Sequence, residues 1–171
     1  MLVEKLNLQF DHAQILKELY ELEQYYQWGK INDKSYSFAV TSRDGSTTDG
    51  TNAFVGDESI FKLLTIYNGT YIEEIISDLN SGRIRFLKML PGHIMKIHKD
   101  PGIRYHIPLQ TNQYCGFMDD NLNTYTMSTL GGFYKLDGCQ MHCAFNCSRN
   151  EERIHLVIVE KYEYSNQPAG V

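Results

Sequence analysis

Arg83-Ile-Arg-Phe-Leu-Lys-Met-Leu-Pro-Gly-His-Ile-Met-Lys-Ile97, continued by His98-Lys-Asp100 and then by Arg104-Tyr-His-Ile-Pro-Leu109, is the stretch on which the fold turns. Both flanks read as strands, and Pro91-Gly92 breaks the first of them with a turn. In an extended chain residues two apart share a face, which lets His98 and Asp100 reach one ion while Lys99 points away.

Downstream lie His142 and then Arg153. Two imidazoles and one carboxylate are the ligand set of a facial triad that holds Fe(II) on one side and leaves the other side open for a co-substrate and O₂. Arg153 opens Arg-Ile-His-Leu-Val-Ile-Val159, a run apolar enough for a central strand. A guanidinium at its mouth calls for an anionic partner, and a dicarboxylate suits its planar fork. The competing reading pairs Arg153 with Glu151, Glu152 or Glu160 at an edge. Arg104 and His106 share a face and are second candidates for an anionic ligand, or else part of a structural ion pair. His155 falls on the face of Arg153 and Lys96 on that of His98, either lining the pocket or solvated. His93 and His12 receive no role.

Taken in order, Leu90-Pro-Gly92, His98-Lys-Asp100, Arg104-Tyr-His-Ile-Pro-Leu109, His142 and Arg153-Ile-His-Leu-Val157 resemble the aspartyl/asparaginyl β-hydroxylase family, which includes bacterial proline hydroxylases of the Fe(II)/2-oxoglutarate type. The resemblance implies a mainly β fold with flanking helices, a double-stranded β-helix (a cupin-like jelly roll) with the metal near one mouth. It implies Fe(II) on His98, Asp100 and His142, and 2-oxoglutarate chelating the metal through its 1-carboxylate and keto oxygen. Arg153 would hold the 5-carboxylate, with Arg104 and His106 nearby, and succinate would be the co-product of hydroxylation. The spacing from His142 to Arg153 is about one residue longer than is usual in the family, so Arg149 stands as a rival. A cupin-like metal enzyme of another class and a catalytically silent binding jelly roll are the other readings. The intact triad and arginine weigh against both.

The remaining sequence sets bounds. A chain of 171 residues fits one domain, with 1–82 a helix-containing support and 83–160 the metal-binding core. The net charge of −5 gives no general field for phosphate, although Arg83, Arg85 and Lys88 could form a local patch; nucleic acid is not an expected partner. No apolar run is long enough for a membrane span, and the charged start predicts a soluble, cytoplasmic protein; an amino acid or peptide as substrate, with O₂, is what the resemblance implies. The Asn68 and Asn146 sequons read as accidental in that setting.

Cys139, His142, Cys143 and Cys147 could be written as a zinc site, but the paired CxxC knuckles are missing and reduced thiols are expected. A strand over 6–10 precedes a helix capped by Asp11, whose Ile15, Leu16, Leu19, Leu22 and Tyr26 recur at helical spacing and pack on the outside of the barrel. Tyr25, Tyr26 and Trp28 read as packing residues. Residues 37–42 read as a strand, 43–56 as a long loop that is either a substrate lid or a surface insertion, and Tyr71–Leu79 as a helix closed by Asn80-Ser-Gly82.

Overall fold

The computed structural model describes residues 1–52, 56–79 and 81–160. β1 (Val3–Gln9) leads into α1 (His12–Glu23), followed by β2 (Gly29–Asn32), β3 (Ser35–Ala39) and β4 (Thr41–Ser42). A 3₁₀ turn (Glu58–Ile60), β5 (Leu63–Leu64) and α2 (Tyr71–Ser77) come next. The rest is β: β6 (Ser81–Met89), β7 (His93–Ile94), β8 (Ile103–Gln110), β9 (Cys115–Asp119), β10 (Thr124–Tyr125), β11 (Gly132–Asp137), β12 (His142–Asn146) and β13 (Arg153–Glu160).

A seven-stranded sheet runs β1-β11-β8-β13-β6-β3-β2 and a four-stranded sheet β10-β9-β12-β7, with every pairing antiparallel. This is the mainly β, two-sheet jelly roll with flanking helices that the sequence predicts.

Period-two alternation sorts the large sheet into two buried faces. Ile84 and Phe86 of β6, Ile107 and Leu109 of β8, and Ile154, Leu156 and Ile158 of β13 point outward and pack with Ile15 and Leu19 of α1 and Ile72 and Ile75 of α2. Each such side chain contributes roughly 1.5–3 kcal/mol relative to exposure. The opposite face meets the small sheet through Met89, Tyr134, Leu136, Phe117 and Ala144. Both helices start on side-chain caps: Asp11 accepts from Ala13 N and Gln14 N, and Thr70 from Glu73 N. Glu18 of α1 accepts from the backbone of Tyr71 and Ile72, tying the first turn of α2 to α1.

Four expectations are corrected. Tyr25 and Tyr26 stand exposed after α1, and only Trp28 packs, against Phe38 at 5.3 Å. α2 ends at Ser77, while Ser81 and Gly82 already belong to β6; Asn80 lies outside the described residues. Residues 37–42 divide between β3, paired with β6 through Ala39, and β4, paired with β5, while Val40 N still donates to Ile84 O of β6 at 2.9 Å. Finally, no basic patch forms at Arg83, Arg85 and Lys88: the first two lie on the inner face, whereas Lys88 lies on the other, over the Trp28 ring and 3.4 Å from Glu23.

Candidate metal centre

His98 lies outside the named strands. It forms a single antiparallel bridge with His142, the first residue of β12, each backbone N donating to the other's O at 2.8 Å. The expected strand at 98–100 is therefore reduced to a single bridge at His98, and Asp100 is fixed separately. Its backbone N donates to Gly138 O at 2.8 Å. A Cβ at position 138 would lie 2.5 Å from Gly102 O and 2.8 Å from Asp100 Cβ, so only glycine lets the two segments approach this closely.

This placement brings one ligand atom from each of His98, Asp100 and His142 within 4.8 Å of the others. The two histidines are oriented by the same device: the Nδ1 of His98 lies 2.8 Å from Lys96 O and that of His142 2.9 Å from Gln140 O. A carbonyl only accepts, so each Nδ1 carries the proton and each Nε2 keeps its lone pair for a metal. His142 Nε2 stands 3.9 Å from Asp100 Oδ2, and burial pushes the His142 imidazole below its ordinary range, favouring the neutral, ligating form. Two nitrogens and one carboxylate oxygen fit a divalent transition metal of the iron type. Among the described residues no cysteine joins the group, and all four thiols are free.

Deeper between the sheets, Arg153 is 3% exposed, with its guanidinium carbon 4.8 Å over the Phe117 ring. Its Nη2 lies 3.2 Å from His155 Nδ1, which lies 3.3 Å from His106 Nδ1. A guanidinium only donates, so His155 Nδ1 accepts, His106 Nδ1 carries a proton, and His155 Nε2 is left as a donor. That Nε2 and Arg153 Nε are buried without partners, and no carboxylate pairs with Arg153 among the described residues. Burial, then the Arg153 charge, drives both imidazoles well below their ordinary range; burial brings Arg153 itself down to about 10. Arg149 lies exposed in the bend before β13, and Glu160 accepts from Tyr105 Oη at 2.7 Å.

Arg104 is engaged differently. Its Nη2 lies 2.7 Å from Glu58 Oε2 and its Nε 3.5 Å from Asp100 Oδ2, while the other Glu58 oxygen accepts from Arg83 Nη1 at 2.9 Å. Glu58 is the residue the sequence reading missed. It sits on a 3₁₀ turn far upstream, in a stretch with no periodic signal, and only the tertiary fold brings it under Arg83 and Arg104. Arg104 is thus an ion-pair residue that braces Asp100, and His106 lies beside His155. Lys96 is exposed and offers its carbonyl, not its ammonium, to the site.

Residues 69–160 match the sequence pattern of the Aspartyl/Asparaginyl beta-hydroxylase family. No curated protein matches the chain. Among solved structures, an oxidoreductase of the 2OG-Fe(II) oxygenase family from Burkholderia pseudomallei superimposes with a TM-score of 0.58 over 98% of this chain and 89% of its own, at 16% identity. The DMSP lyase DddQ from Ruegeria pomeroyi DSS-3 does so with a TM-score of 0.53 over 95% of this chain and 69% of its own, at 10% identity. At such identities the likeness carries the jelly-roll fold alone. The family match spans more than half the chain and includes the bridged histidines, Asp100 and the buried arginine, and the chain belongs to the aspartyl/asparaginyl β-hydroxylase family.

Proposed function

We propose that this protein is an Fe(II)/2-oxoglutarate-dependent dioxygenase that hydroxylates a C–H bond of an amino acid or of a peptide side chain. The observation that carries the reading is the buried guanidinium of Arg153, which has no carboxylate partner among the described residues and lies over the Phe117 ring, itself 6.3 Å from His142 of the two-histidine, one-carboxylate cluster. A buried charge left unmatched is costly, and a carboxylate ligand removes that cost.

In this reading His98 and His142 hold the metal through Nε2 and Asp100 through its carboxylate. Arg153 binds the distal carboxylate of 2-oxoglutarate, with the His155 Nε2 proton as a further donor. Bound iron and 2-oxoglutarate supply the oxidising chemistry: O₂, 2-oxoglutarate and a C–H bond give succinate, CO₂ and a C–OH group. The carbonyls of Lys96 and Gln140 keep the imidazoles in the ligating tautomer. Arg104 steadies Asp100 and is in turn held by Glu58. The Phe117 ring covers one side of Arg153 and keeps water from it.

Anaerobic titration of the folded protein with Fe(II) and 2-oxoglutarate tests the proposal. A visible metal-to-ligand charge-transfer band is the expected result, and its absence from correctly folded protein overturns the reading.

A further inference from the structure

The inner faces of β6, β8 and β13 carry Arg83, Arg85, Arg104 and Arg153 and no acidic residue. Among the described residues the carboxylates that pair with them are Glu58 and Asp100, from outside these strands: Arg83 and Arg104 share Glu58, and Arg104 also meets Asp100, while Asp49, whose charge also reaches Arg83, is bound to Arg43. Asp119 cannot serve, because its oxygens are taken by Asn121 N, Asn123 N, Asn123 Nδ2 and Tyr125 Oη. Among the described residues Arg85 and Arg153 are thus left without a paired carboxylate, a surplus of two positive charges.

Loading the centre does not remove that surplus. The charges of a divalent metal and of the 2-oxoglutarate dianion cancel, so an anion beyond the co-substrate is still wanted.

Arg85 is where it is wanted. Among the described residues no carboxylate pairs with it. Its Nη1 donates to Gly50 O at 3.1 Å, its Nε is buried without a partner, and the residue as a whole is only partly buried. In the sheet register Arg85 faces Val157, which faces His106 on the other side; two strand spacings, about 10 Å, separate Arg85 from His106. Arg85 also feels the Asp100 charge, and burial followed by Arg83 brings its guanidinium down to about 9. Gly50, with φ +66°, approaches so closely that a Cβ there would lie 2.8 Å from Arg83 Nε. The loop backbone thereby supports the arginines from one side while offering them no charge.

We propose that Arg85 is the substrate's carboxylate site, so that the substrate bears a carboxylate near the C–H bond that is attacked. The carboxylate belongs either to a free amino acid or to an acidic side chain of a peptide. The assignment of Arg85 as the substrate subsite rests on the function proposed above, whereas its anion binding does not.

Paired probes separate the cases: L-leucine against L-leucinamide, and N-acetyl-L-aspartyl N-methylamide against its asparaginyl counterpart. Each is titrated into anaerobic protein saturated with Fe(II) and 2-oxoglutarate, where binding perturbs the charge-transfer band, and by calorimetry into metal-free protein. At least one carboxylate probe is expected to bind tenfold or more tighter than its amide, and the pair that shows this names the source. Arg85→Gln should abolish the preference and Arg85→Lys keep part of it, both without loss of the band formed by 2-oxoglutarate. Equal binding of acid and amide in wild type, or a preference that survives in Arg85→Gln, overturns the proposal. If the band never forms but the calorimetric preference depends on Arg85, the dioxygenase reading fails and anion binding at Arg85 stands.

Discussion

Asp100 and Gly138 are locked together: the Asp100 backbone N donates to the Gly138 carbonyl at 2.8 Å, and the Asp100 Cβ occupies the space that a side chain at 138 would need. The carboxylate proposed to bind the metal is therefore aimed by a residue with no side chain. Gly138→Ala is expected to push Asp100 off position and weaken Fe(II) binding roughly 10–100-fold, the range found when the support of a metal ligand is lost. Equilibrium iron binding alongside circular dichroism checks this, and unchanged affinity in a folded variant counts against the role.

His98→Ala, Asp100→Ala and His142→Ala should each abolish stoichiometric Fe(II) binding while the protein stays folded, because His98 and Asp100 are only half-buried and the buried His142 is held in β12 by its backbone pairing with β9. Iron content near wild type in any of them removes that residue from the ligand set.

Arg153→Ala should weaken 2-oxoglutarate binding by roughly a hundredfold or more, because a charge-assisted pair in a dry pocket is worth a few kcal/mol. Fe(II) binding should persist. Arg149→Ala, at an exposed bend, should change little. Titration of the charge-transfer band in both variants decides between the two arginines.

Glu58→Gln leaves Arg83 and Arg104, at 3% and 5% exposure, without their shared carboxylate. Breaking a buried pair by removing one partner costs about 3–5 kcal/mol. The urea midpoint should fall accordingly, and a loss under 1 kcal/mol would mean that the arginines find other partners.

Stability should also fall on acidification. His106 and His155 are held neutral in the fold, with pKa values well below their ordinary 6.5. Below that value the unfolded chain binds protons that the folded chain does not, so their contribution is complete above pH 6.5 and is lost as pH falls beneath it. The slope is about 1.4 kcal/mol per pH unit for each histidine. Denaturant unfolding of metal-free protein from pH 7 to 5 measures it, and His155→Leu should remove one histidine's share.

Much of the fold was legible because strand alternation is a local signal. Ile154, Leu156 and Ile158 against Arg153, His155 and Val157 announce two faces directly. That His98, Asp100 and His142 come together was legible from their types and order, although the chain at 98–100 forms a single bridge and not a strand. Glu58 was not legible, since its meaning depends on which strands it lands beside. Arg83 and Arg85 show the other failure: their charge suggested a surface patch, and only the register of β6 against β13 turns them inward. Asn146, which fits a glycosylation sequon, is fully buried, its amide donating to Met89 O and Glu151 O. A short pattern carries no information on exposure.

The unmatched guanidiniums between the sheets give the protein's durability a second meaning. An empty barrel holds like charges near one another, so it is the least robust form of the molecule, and each fitting anion adds resistance to heat and to proteases that grows with the logarithm of its concentration over its dissociation constant. A ligand present at a hundred times its dissociation constant adds about 2.7 kcal/mol. Melting curves recorded across a library of small acids would then rank natural ligands without any assay of turnover, and in a living cell the lifetime of the polypeptide itself would follow the supply of the compounds it uses.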